Sequence, residues 1–165
     1  MRVENSFIPV SGVGEKTERK LWQTGVVTWE DFDGRVPGPA SAARVHEFID
    51  TARDRLDDGD ARFFAEQLPS GSQWRLYENF RPGACFLDIE TTGLDQGRDE
   101  VTVVSLHRNG ETKTFVQGRD LSGQRLVREL ADASLLVTFN GKRFDVPFLE
   151  SAFGLTLDLP HIDLM

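Results

Sequence analysis

The sequence predicts an α/β fold. A three-strand antiparallel meander plus one parallel strand form a mixed sheet, preceded by a small helical appendage. Three observations carry this. Cys85-Phe86-Leu87-Asp88-Ile89 is an apolar run suited to a buried strand, and acids interrupt only its end. Asn109-Gly110 is the strongest short hairpin signal, with strand-like residues at 101–107 before it and an alternating stretch at 112–117 after it. The stretch 134–139 is short and apolar, which suits a strand covered on both faces.

Taken in order, residues 1–80 read as the appendage. Ser11-Gly12-Val13-Gly14 is a tight glycine-rich turn, and 15–24 reads as a helix with Glu15 and Glu18 in its first turns and Gly25 just past its end. Thr28 with Asp31 three residues on is a capping pair for a short helix carrying Trp29 and Phe32. The Gly/Pro-rich 33–40 is a loop. Ser41 opens a helix to about Leu56, with Val45, Phe48, Ile49, Ala52 and Leu56 on one face. Asp57-Asp58-Gly59-Asp60 is a solvated turn, 61–68 a second helix stopped by Pro69, and 70–72 a break. From Gly83 the composition changes, and residues 83–165 read as strand 84–90, the 101–117 hairpin, a helix at 121–131, the apolar strand, and a helix from about Val146.

The totals narrow the function classes. At 39% hydrophobic and 28% charged the chain is globular. No apolar run approaches the ~20 residues that span a bilayer, so no membrane partner is expected. The N-terminus lacks the apolar core of a signal peptide, which makes the cytoplasm the default location. The lone Cys85 allows no internal disulfide and reads as core. Net charge is −8, with 27 acids against 19 bases, which argues against generic nucleic-acid binding through cations. A metal–carboxylate site is acidic by need and brings its own positive charge. We read the acid excess as an adaptation to high salt, so stability should rise steeply in molar KCl; a salt-independent melting temperature would refute this.

The chemistry is concentrated in two stretches. Side chains alternate along a strand, so Asp88 and Glu90 point the same way, at a strand end where α/β sites gather. Two acids on one face call for a positive charge between them, and a hard cation such as Mg²⁺ takes carboxylate oxygens. The second stretch is Phe139-Asn140-Gly141-Lys142-Arg143-Phe144-Asp145-Val146-Pro147. Alone, Asp145 reads as a helix N-cap. If its strand runs parallel beside 84–90, Asp145 converges on Asp88 and Glu90, and three carboxylates form a one- or two-metal site.

Phe86-Leu87-Asp88-Ile89-Glu90-Thr91-Thr92-Gly93-Leu94 followed by Phe139-Asn140-Gly141-Lys142-Arg143-Phe144-Asp145 resembles the first and second motifs of the DEDD (DnaQ-like, proofreading-type) exonucleases of the RNase H-like superfamily. From about residue 84 the chain resembles RNase H-like exonuclease domains of prokaryotes that follow a helix-hairpin-helix-like segment, here about 5–32. The resemblance implies Mg²⁺ or Mn²⁺, two ions in a complete site, and hydrolysis of a phosphodiester at the 3′ end of a single strand. It makes Asp88, Glu90 and Asp145 the metal ligands and catalytic acids. Asn140 would position the substrate strand, and Thr92 and Leu94 would contact the terminal nucleotide. The helix-hairpin-helix likeness implies a phosphate held at Gly12 and Gly14 with Lys16 assisting.

The family's third motif, Tyr-x-x-x-Asp or His-x-Ala-x-x-Asp on a later helix, is not matched. Tyr77 lies upstream, and His161-Ile162-Asp163 has the wrong spacing. This leaves two alternatives: the C-terminal part of the fold lies outside this chain, or the protein lacks its general base and fourth carboxylate. The competing functional expectation is therefore an inactive nucleic-acid-binding or protein-interaction module. Neither reading sets an oligomeric state.

Overall fold

The computed structural model describes residues 1–165, and the chain divides into two compact units, Met1–Asn79 and Phe80–Met165. The first unit is helical. A single 3-10 turn (Val3–Asn5) precedes the glycine-rich turn, and α1 (Glu15–Gln23) follows it. Gly14 is the N-cap of α1, and Gly12 has φ +90°, with the backbone of Ala40 packed where a Cβ would point. Such a φ is open to glycine and strained for other residues. Thr28 and Asp31 form their capping pair around a 3-10 turn, Trp29–Asp31. The long helix α2 (Ala42–Asp57) starts after Ser41, whose hydroxyl makes no capping bond. In the acidic turn Asp60 is not merely solvated. It caps α3 (Ala61–Gln67) by accepting the Phe63 amide at 3.0 Å. A 3-10 helix at Ser70–Leu76 replaces the expected break, and the one-turn α4 (Tyr77–Phe80) follows.

Trp29 centres this unit's core, stacked on Phe64 at 6.2 Å and edge-on to Phe48 at 5.9 Å. Glu18 lies in the first turn of α1 and is 1% exposed. Its carboxylate binds Arg75 Nη1 at 2.9 Å and accepts the Phe7 amide at 2.7 Å. The indoles of Trp22 and Trp29 donate to the carbonyls of Asn5 and Ser6 at 3.0 and 2.9 Å. The N-terminal segment is thus tied down through its backbone by buried polar groups.

The second unit holds five strands: β1 (Ala84–Thr91), β2 (Val101–Arg108), β3 (Glu111–Val116), β4 (Leu135–Thr138) and β5 (His161–Asp163). Their order is β3-β2-β1-β4-β5. The first three form the antiparallel meander, with Asn109 at φ 52° and Gly110 at φ 80° in the turn, as an Asn-Gly hairpin requires. Helix α5 (Gly123–Leu130) crosses over to β4, which runs parallel to β1. Ser122 caps α5, its hydroxyl accepting the Arg125 amide. Helix α6 (Asp145–Phe153) then leads to β5, a short parallel edge strand absent from the sequence reading.

Alternation along β1 sends Cys85, Leu87 and Ile89 into a core shared with Val104, Leu106, Phe115, Leu126 and Phe148. Phe86, Asp88 and Glu90 face the other way and are exposed. Cys85 is buried, and burial pushes its thiol up. No helix in the chain is long and apolar enough to cross a membrane.

Candidate metal-carboxylate site

The site begins with a length mismatch. Strand β4 pairs with β1 only over Ala84–Phe86, while β1 runs on to Thr91. Past Phe86 the edge of β1 toward β4 is therefore without a strand partner. Chain from the end of β4 fills the gap. Thr138 ends the strand, Asn140 turns the backbone at φ 60°, and Gly141 lies so close to the Thr138 side chain that a Cβ would collide with it. The amides of Arg143 and Phe144 bond back to the Asn140 carbonyl at 3.2 and 3.1 Å, and α6 starts at once.

Asp145 is the first residue of α6 and not its N-cap; Phe144 holds the cap position. The side chain is therefore released from capping. It faces β1, within electrostatic reach of Asp88 and of the Ile89 amide. The residue is 5% exposed. Burial raises its carboxyl above the ordinary aspartate range; the charges of Asp88 and Asp163 push the same way, and the amides of Asp145 itself and Ile89 pull less strongly against them. Perturbed acids of this kind occur both at functional sites and in structural networks.

Asp88 supplies the second carboxylate. Glu90 lies two residues on along the same exposed face. The register of β1 on β2 slips here: Glu90 pairs with Val103 and Thr91 with Val101, leaving Thr102 unpaired. Thr102 closes the bulge by donating its hydroxyl to the Glu90 carbonyl at 3.0 Å. The donor chemistry, hard carboxylate oxygens without a lysine or arginine in ion-pair contact, suits Mg²⁺ or Mn²⁺. The side chains do not, however, gather as a set of three that could hold an ion between them.

Two loops flank these acids, and an aspartate holds each. In the first, Asp99 accepts the Asp95 amide at 2.8 Å and the Thr92 hydroxyl at 3.3 Å. The Thr92 oxygen in turn accepts the Glu100 amide at 2.9 Å, and Gly93 is pressed against the Asp99 carboxylate. The Thr92 hydroxyl is thus spent inside the loop, while Leu94 stands 84% exposed beyond it. In the second, Asp163 binds the amides of the 140–142 turn. His161 meets the Thr138 hydroxyl at 2.7 Å; burial, and then Lys142, lower its pKa to about 4, so it is neutral at pH 7.

Gly12, Gly14 and Lys16 lie in the first unit and are exposed. A single 3-10 turn stands where a helix-hairpin-helix would have its first helix. The residues that sequence reasoning missed are Asp99 and Asp163. Both act on backbone amides, and a single acid in a loop or a short strand carries no periodic signal.

A family model and several solved structures match parts of the chain. Residues 85–165 match the RNase_H superfamily family model. Among solved structures the chain is similar to Brucella melitensis NrnC with bound Mg²⁺, at 31% identity and a TM-score of 0.40, over 52% of this chain and 43% of that one. It is similar to NrnC bound to pGG at 27% identity and a TM-score of 0.39, over 48% of this chain and 40% of that one. Similarity to the family B DNA polymerase from the archaeon Pyrobaculum calidifontis is 28% identity and a TM-score of 0.35, over 42% of this chain and 10% of that one. The chain spans about two fifths of the length of NrnC, and so partial a likeness assigns no residue its role. No curated protein matches the chain. The strand order, the two motifs and the family match agree: residues 85–165 form an RNase H-like domain.

Proposed function

We propose that the second unit is a divalent-metal-dependent nuclease domain that hydrolyses phosphodiester bonds of nucleic acid, of the 3′-5′ exonuclease type. One observation supports the reading: the buried Asp145, at the start of α6, lies within electrostatic reach of Asp88 on β1, with no lysine or arginine paired to it. Asp88, Glu90 and Asp145 would hold Mg²⁺ or Mn²⁺, one ion or two. Bound there, the metal supplies an activated water and a Lewis acid for the leaving oxygen.

This chain's own residues do the rest. Asp145 and Asp88 create the negative field that draws a cation into a chain of net charge −8. Asn140, at the turn before α6, orients the single strand. Leu94 is offered to the terminal base by the loop that Thr92 and Asp99 hold closed. Gly12, Gly14 and Lys16, exposed at the start of α1, take a backbone phosphate. The decisive comparison is Mg²⁺- or Mn²⁺-dependent trimming of 3′-labelled DNA and RNA single strands by the parent and by Asp88→Ala. A loss of ~100-fold or more is expected, and equal activity rejects the reading.

A second reading is favoured by the lack of a gathered three-acid ligand set: a module that binds nucleic acid without cutting it. It predicts binding weakened by Lys16→Glu and no cleavage by the parent in any divalent metal.

A further inference from the structure

We propose that Asp163 is a positioning residue: from the edge strand β5 it clamps the 140–142 turn and so fixes Asn140 and the start of α6, where Asp145 stands. The proposal rests on the nuclease reading for its effect on catalysis and on geometry alone for the clamp. Both carboxylate oxygens are engaged. Oδ1 accepts the Asn140 amide at 2.7 Å and the Met165 amide at 3.3 Å, and Oδ2 accepts the Lys142 amide at 2.9 Å. Although burial opposes ionisation, the amides of Lys142, Met165 and Asn140 outweigh it and hold the carboxyl below the ordinary aspartate range. An acid whose two oxygens already accept amides is poorly placed to ligate an ion, and well placed to shape a backbone.

The turn needs shaping. Asn140 sits in the left-handed region, at φ 60°, which asparagine tolerates better than most non-glycine residues, and the clamp fixes it there. Thr138 accepts the Gly141 amide at 3.2 Å while meeting His161 at 2.7 Å, so β5 acts on the turn at two points. The turn passes into the helix without slack: Val146 bonds back to Gly141 at 2.9 Å and Phe144 to Asn140 at 3.1 Å. Asp145 lies between those two anchored residues. Any shift of 140–142 therefore reaches its carboxylate.

The test uses the full chain, ¹⁵N-labelled and metal-free, as parent, Asp163→Ala and Asp163→Asn. Asn keeps one acceptor oxygen and should fall between the other two. The Asn140 and Lys142 amides should exchange about tenfold or more faster in Asp163→Ala, while the amides of β2 keep their protection. In Mg²⁺ titrations of cleavage the half-maximal concentration should rise about tenfold, as it does when the residues that orient metal ligands are removed. Should the alanine variant not fold, the asparagine variant gives the same measurements with a smaller expected change. Amides that stay protected, or protection lost equally across the sheet, would overturn the clamp, and an unchanged Mg²⁺ requirement would overturn its role in positioning Asp145. If the parent does not cleave at all, the nuclease reading falls, and the exchange rates of Asn140 and Lys142 still decide the clamp.

Discussion

Each unit buries one carboxylate almost completely, and the two are handled in opposite ways. Glu18 in the first unit is 1% exposed; Asp145 in the second is 5% exposed. Glu18 meets Arg75 at 2.9 Å, the Phe7 amide at 2.7 Å and the Ser6 hydroxyl at 3.3 Å, so its charge is answered on several sides. Arg75 is itself flanked by Trp22 and Trp74, each ring centroid 5.7 Å from its guanidinium carbon. Asp145 has no salt-bridge partner, and the charges of Asp88 and Asp163 repel it. An acid with its counter-charge inside the protein holds a fold together. One whose neighbours are acids is, on the reading proposed above, the one that would take a cation from outside.

The strongest way to break this contrast is Glu18→Ala. It strands Arg75 in the interior and should cost about 3–5 kcal/mol in denaturant unfolding, whereas replacing both partners with apolar residues should recover much of the loss. A cost near zero for the single change would mean that the pair is not the anchor of its unit. Asp145→Asn should act in the opposite direction. A carboxyl with its folded pKa raised removes stability as pH climbs from the ordinary aspartate range through the raised value, and has no effect below that window. In EDTA at neutral pH the variant should therefore exceed the parent by about 0.5–1 kcal/mol, with the gain disappearing in acid. Equal midpoints at pH 7 would mean that the charge is compensated after all. The smallest effect sharpens the rule. Lys113 and Glu129 pair at 2.8 Å on the surface, each drawn toward its charged form chiefly by their mutual hydrogen bond. Solvent screens such a pair, and Lys113→Ala should leave the unfolding midpoint unchanged within error. A shift larger than that of Asp145→Asn would show that burial is the wrong criterion.

The parts of the fold legible in the sequence are those whose signal is local. Alternation marks β1 and its two faces, Asn-Gly marks the hairpin, and spaced apolar residues mark α1, α2 and α5. Asp88, Glu90 and Asp145 stand out in the sequence because two short motifs carry them, but their side chains do not gather into one ion-holding group. What stays hidden depends on distance along the chain. The partner of Glu18 is 57 residues away, so a buried ion pair looks like an ordinary first-turn acid. Strand β5 has only three residues and exists because β4 offers an edge. Asp145 looks like a cap because helix starts favour acids; the helix begins one residue sooner and frees the side chain to face β1. Thr92 looks like a substrate contact, yet its hydroxyl is occupied within its own loop.

The early end of β4 has one more consequence. The sheet forks beyond Phe86, and Asp145 reaches toward the Ile89 amide, where another strand's carbonyl would otherwise be. A β4 longer by two residues would zip the fork shut, give that amide a main-chain acceptor and evict Asp145. Such a domain could then be silenced with every acid of both motifs still in its sequence, by an insertion that no motif search would notice.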